Sequence, residues 1–131
     1  MTDINNKPGE KILIVEDDEI NRKVMELQLR NYYFIVPAKD GEEAIKLFLQ
    51  NDYDLILMDI NLGAGINGME TMEKIREFDK GKTIPIIAIT AYASYGNRGS
   101  FLAKGFNNYI SKPYHYQDLL KCIKDEIKVH Q

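Results

Sequence analysis

The sequence predicts an α/β protein built on a five-stranded parallel sheet with helices on both faces. Five short apolar runs, at 12–15, 34–36, 55–58, 84–89 and 109–110, are rich in Ile, Leu and Val and show little polar alternation. That texture suits parallel strands covered on both sides. Stretches with helical spacing of apolar residues lie between the runs, and alternating β and α units imply a parallel sheet with right-handed crossovers. A length of 131 residues with 44% hydrophobic content fits one domain with a single core.

The elements follow in order. Residues 1–10 are polar, with Asn5, Asn6, Pro8 and Gly9, and are expected to form a disordered leader before a folded domain spanning 11–129. After the first strand, Asp18 is placed to cap a helix. That helix carries a stripe of Ile20, Val24 and Leu27, the face expected to meet the sheet. Ala44, Ile45, Phe48 and Leu49 mark the second helix, and Met69, Met72 and Ile75 the third. A fourth helix is weak, with Gly96 and Gly99 expected in its middle. Leu119, Leu120, Ile123 and Ile127 mark the last helix, with Cys122 beside them as a packing residue and His115 near its start.

Bulk properties exclude several classes. The formal net charge of -3 argues against a nucleic-acid-binding surface. One cysteine cannot make an internal disulfide, and no apolar run suits a signal peptide or a membrane span. A cytoplasmic protein without membrane insertion is expected. His115 and His130 lack metal-ligand spacing and read as surface residues.

In parallel sheets ligands bind at the carboxyl ends of the strands. Here those ends carry Glu16, Asp17 and Asp18, then Asp59, Thr90 and Lys112-Pro113. Crowded carboxylates raise one another's pKa, and a hard divalent cation with oxygen ligands relieves the repulsion. Mg²⁺ fits, since it takes one or two carboxylates, waters and a phosphate oxygen. A lysine and a hydroxyl suit the remaining oxygens of a phosphoryl group. The set is therefore read as a phosphoryl-transfer site. Taken singly, each residue has a plainer role: Asp59 as a turn starter, Thr90 as a strand-end residue, Lys112 as a solvated loop lysine.

Four segments resemble the signatures of receiver domains of two-component response regulators: Ile12-Leu13-Ile14-Val15-Glu16-Asp17-Asp18, Leu55-Ile56-Leu57-Met58-Asp59-Ile60, Ile86-Ile87-Ala88-Ile89-Thr90-Ala91 and Tyr109-Ile110-Ser111-Lys112-Pro113. They come in that family's order, and the run from Glu16 to Arg22 looks especially like receivers attached to hybrid kinases. The resemblance implies a flavodoxin-like strand order, 2-1-3-4-5. It implies Asp59 as phosphoacceptor and Mg²⁺ held by Glu16, Asp17, Asp59 and the backbone carbonyl of Asn61. By the same likeness Thr90 and Tyr109 form a switch, Lys112 pairs with a phosphoryl oxygen, and a cis bond precedes Pro113. Implied partners are a histidine kinase or histidine phosphotransfer protein and a downstream protein target, with a phosphorylation-dependent homodimer as one output. No direct nucleic-acid binding and no enzymatic turnover of an external substrate are expected, only self-phosphorylation and slow autodephosphorylation.

Rival classes fare worse. A haloacid-dehalogenase-type phosphatase needs an acid two residues after its nucleophile, and that position is Asn61. A nucleotide-binding module wants a glycine-rich first loop, where this chain has four acids from Glu16 to Glu19. A degenerate receiver serving only as a binding module would be missing site residues, and none is missing. The sequence departs from the family in the loop from Asn61 to Gly68, where many receivers have a proline and a shorter loop; Gly63 and Gly65 are expected to make it mobile. By the same likeness, the positions that flank the path of a hydrolytic water are Asn61 and Tyr92; neither is a carboxylate, which implies slow loss of the phosphoryl group.

Overall fold

The computed structural model describes residues 9–63, 65–91 and 97–129, with the backbone alone at 97–99. Its elements are β1 (Lys11–Val15), α1 (Glu19–Leu29), β2 (Phe34–Ala38), α2 (Gly41–Gln50), β3 (Leu55–Asp59), α3 (Gly68–Glu77), a single 3-10 turn (Asp79–Gly81), β4 (Ile86–Thr90), α4 (Asn97–Lys104), β5 (Asn108–Ser111) and α5 (Tyr116–Val129). All strand pairs are parallel and the order is β2-β1-β3-β4-β5. The expected fold class and strand order are both found.

Alternate strand residues point to opposite faces, so the sheet divides the core in two. Leu13, Val15, Ile56, Met58, Ile86 and Ala88 pack with Phe48, Met72, Ile75 and Phe101. Ile12, Ile14, Leu55, Leu57, Ile87 and Ile89 pack with Met25, Leu29, Leu119, Ile123 and Ile127. Helices α2, α3 and α4 thus cover one face, and α1 and α5 the other. The central strands β3 and β4 are buried throughout, which explains their unbroken apolar runs.

Helix starts are set by side-chain caps. Asp18 accepts from the Asn21 amide, Asp40 from Glu43, and Asn67 forms a capping box with Glu70. Capping by Asp18 is as expected, but the α1 stripe is not. Met25 and Leu29 are the buried residues, while Ile20, Val24 and Leu27 are 72%, 43% and 56% exposed. The two sets lie roughly half a turn apart, so the longer apolar stripe faces away from the sheet. Leu49 of α2 also points outward. In α4, Gly99 falls in the first turn and not the middle. Gly96, His130 and most of the expected leader lie outside the described residues.

Arg76, at the end of α3, aligns the starts of β4 and β5. Its guanidinium donates to the carbonyls of Gly81 (2.8 Å), Ile84 (2.6 Å) and Gly105 (2.7 and 3.1 Å) and to Asn107 Oδ1 (2.8 Å). The same Asn107 oxygen accepts from the Ile86 amide at 2.8 Å. One planar fork therefore indexes the two strands whose far ends carry Thr90 and Lys112.

Candidate phosphoryl and metal site

Strand register brings the expected residues level. Val15 pairs with Met58, Asp59 with Ile89, and Thr90 with Ser111, so the residues at or just past these positions share one sheet edge. Carboxylate oxygens of Glu16, Asp17 and Asp59, one from each, lie within 4.8 Å of one another. Lys112 reaches in from beyond β5, with Nζ 3.4 Å from both Glu16 Oε1 and Asp59 Oδ2. Glu16 and Asp59 are buried and Asp17 is exposed.

One ammonium does not neutralise three carboxylates at this spacing. Burial pushes the Glu16 carboxyl up to about 7; the Asp59 charge adds to this, against the lowering effect of the Asp18 amide and Lys112. Burial works against the Lys112 ammonium too, but Asp59 and Glu16 outweigh it and raise its pKa. The cluster is thus short of positive charge and rich in hard oxygen donors, which is the donor set a small divalent cation takes.

The other expected residues sit around this cluster. Thr90 is buried at the end of β4, and its carbonyl accepts from the Lys112 amide at 2.8 Å. Asn61 begins the loop after β3, and its amide donates to Asp59 Oδ1 at 3.0 Å. The peptide bond between Lys112 and Pro113 is cis. Tyr109 is half-buried on β5 and stacked on Phe101 of α4, with ring centroids 6.0 Å apart. Cys122 is packed against the α5 core, where burial pushes its thiol up to about 11, and His115 is on the surface. Tyr92 lies outside the described residues.

Three further residues touch the site. Arg22 donates to the carbonyl of Glu16 at 2.9 Å and fixes the loop that presents the acids. The Gly63 amide donates to Asp17 Oδ2 at 2.8 Å. Tyr114 shares a groove with Glu16 and Lys112, and burial, then the Glu16 and Asp59 charges, push its hydroxyl up to about 12. Arg22 closes the run of residues that already stood out in the sequence; Gly63 and Tyr114 carried no signal as ligands.

Residues 12–124 match the profile of the response regulator receiver domain. The chain belongs to that family. As a receiver domain of two-component signalling, it is 36% identical over 126 residues to hybrid signal transduction histidine kinase I of Dictyostelium discoideum, covering 90% of this chain and 7% of that protein. The chain spans less than half the length of the first curated relatives it matches. Among solved structures, it is similar to the receiver domain of a Pseudomonas aeruginosa sensor histidine kinase, with 36% identity, a TM-score of 0.83, and coverage of 92% of this chain and 98% of that one. That receiver was crystallised with a magnesium ion coordinated in its active-site cleft. A yeast receiver, from Ssk1 of Saccharomyces cerevisiae, shares 30% identity with a TM-score of 0.84, covering 94% of this chain and 92% of that one. It was crystallised with the histidine phosphotransfer protein Ypd1. Among the described residues of this receiver domain, no helix is long and apolar enough to cross a membrane.

Proposed function

We propose that this receiver domain, residues 11–129, accepts a phosphoryl group on Asp59 from a phosphohistidine of a histidine kinase or histidine phosphotransfer protein, in a Mg²⁺-dependent reaction, and relays a signal by changing conformation. The observation that carries this reading is the trio of Glu16, Asp17 and Asp59 oxygens within 4.8 Å, faced by the Lys112 ammonium. Glu16, Asp17, Asp59 and the Asn61 backbone carbonyl would hold the cation, which supplies charge neutralisation for the phosphoryl oxygens. An Asp59 oxygen attacks phosphorus in line; the P–N bond breaks and its electron pair returns to the imidazole. Lys112 pairs with one phosphoryl oxygen and the Thr90 hydroxyl donates to another. That new contact draws on Thr90, and Tyr109, stacked on Phe101 at rest, then turns inward to a buried rotamer and alters the α4–β5 surface. A downstream protein or a second phosphorylated copy would read this change. On this reading the reaction takes place in the cytoplasm. A merely protein-binding role would not need the complete acid trio and lysine.

The donor has a surface to meet. Ile20, Val24 and Leu27 are exposed along α1. A groove of about 510 Å³ runs beside them, lined by Val24, Met25, Pro113 and Tyr114 and reaching Glu16 and Lys112. Contiguous exposed apolar side chains mark interaction surfaces, and this one ends at the reacting groups. A phosphotransfer protein docked there would bring its phosphohistidine to Asp59; the similar Ssk1 receiver was crystallised with a protein of that kind.

Incubation with acetyl phosphate and Mg²⁺ tests the acceptor. Intact-protein mass spectrometry should find one added phosphoryl group in wild type and none in Asp59→Asn. Equal labelling of the two would refute the assignment.

A further inference from the structure

We infer that Gly63, in the loop between β3 and α3, is a positioning residue for the Asp17 carboxylate and, through it, sets the site's affinity and selectivity for Mg²⁺. This rests on the metal reading above and adds to it a residue outside the acid trio. Glu16 and Asp59 are held by burial, but Asp17 is exposed. An exposed aspartate samples several rotamers, so it contributes a fixed ligand only if something else orients it. The Gly63 amide does so, donating to Oδ2 at 2.8 Å. The carboxylate meanwhile stays within 4.8 Å of the Glu16 and Asp59 oxygens.

The loop is built to deliver that amide. It is anchored upstream by the Asn61 amide on Asp59 Oδ1 (3.0 Å) and downstream by the Ile66 amide on Glu42 Oε2 (3.3 Å) and the Gly68 amide on the Ile60 carbonyl (3.1 Å). Gly63 lies between these anchors. A Cβ there would sit 2.6 Å from Asp17 Oδ2, inside any tolerable contact, so even alanine displaces the carboxylate. Glycine is needed here for close approach. The sequence expectation that Gly63 serves loop mobility misses this contact.

The consequence falls on the metal and hardly on the fold. Mg²⁺ demands near-octahedral geometry with short bonds, whereas Ca²⁺ accepts longer bonds and irregular shells. Misplacing one carboxylate therefore penalises Mg²⁺ more. Hydrogen bonds that orient metal ligands are typically worth about 10–100-fold in affinity.

The test is calorimetric titration of Mg²⁺ and Ca²⁺ into wild type, Gly63→Ala and Gly63→Pro, the last removing the N–H. Both variants should keep the wild-type circular dichroism spectrum. Each should bind Mg²⁺ about 10–100-fold more weakly, with a several-fold smaller loss for Ca²⁺. If neither variant folds, an amide-to-ester replacement at position 63, which deletes the N–H alone, should give the same selective loss. Mg²⁺ affinity within a factor of about two of wild type, or equal losses for the two ions, overturns the role of Gly63 and leaves the metal site standing. A wild-type protein that takes up no Mg²⁺ overturns both.

Discussion

Glu16 should make the metal-free receiver less stable as pH rises. Its carboxyl is 2% exposed, and burial, reinforced by Asp59, lifts it from an ordinary 4.5 to about 7. Between those values the folded state binds a proton that the unfolded state has released, so stability falls with increasing pH. Below about 4.5 the group is protonated in both states and costs nothing; above about 7 it is ionised in both and the full penalty applies. At about 1.4 kcal/mol per pH unit the ceiling is about 3 kcal/mol, with the favourable Lys112 contact already included in the shift. A change of that size moves Tm by roughly 10 °C in a chain of this length. Thermal melts in EDTA from pH 4.5 to 8 should show the decline in wild type, and Glu16→Gln should flatten it. Excess Mg²⁺ should flatten the wild-type curve as well, because a cation favours the ionised form. Parallel curves for wild type and Glu16→Gln in EDTA would refute the argument.

Two other outcomes follow from groups outside the acid trio. Arg76→Ala strips the partner from three carbonyls and from Asn107 and should cost on the order of 3 kcal/mol in urea denaturation, with Arg76→Lys recovering less than half because an ammonium cannot span the fork. Val24→Asp, on the groove beside the site, should slow phosphoryl transfer from a histidine phosphotransfer protein by about tenfold or more while acetyl phosphate labelling falls much less; equal effects on both donors would argue against docking on α1.

The central strands β3 and β4 were readable because burial on both faces leaves no polar alternation to confuse them. The partly buried β2 and β5 showed as short apolar runs, and the acid cluster was readable because strand ends in a parallel sheet converge. Glu16 and Asp59 follow adjacent parallel strands and so share one sheet edge, and Lys112 reaches them from beyond β5 by its long side chain. Helix α1 was misread for a physical reason. Its sequence holds two stripes, Ile20/Val24/Leu27 and Met25/Leu29, and periodicity cannot say which one meets the sheet. The larger apolar stripe faces outward, which is the face the proposed docking on α1 uses. Gly63, Arg22 and Tyr114 were missed as site residues because they act through an amide hydrogen, a bond to a backbone carbonyl, and a shared groove wall. Arg22 stood out only as the end of the run from Glu16 to Arg22 and not as a contact, and the other two carry no residue type with a recognisable spacing.

On the proposed function, the geometry also offers a source of free energy for switching. Glu16 and Asp59 are buried close together, with Lys112 at 3.4 Å from each, a distance long for a strong ion pair. The metal-free site therefore stores unfavourable charge that the rest of the core must carry. Its two apolar half-cores, built on fully buried β3 and β4, supply the stability that tolerates it. A cation, and then a phosphoryl group that engages Lys112, would each discharge part of that strain. The free energy released at the sheet edge would then be available to move Thr90 and its neighbours. Removing the strain by Glu16→Gln should thus stabilise the resting protein and shrink the stability gained on adding Mg²⁺ and beryllofluoride. Differential scanning calorimetry of the four states, wild type and variant with and without the ligands, measures both quantities. An undiminished ligand-induced gain in Glu16→Gln would show that the buried acid contributes nothing to the switch.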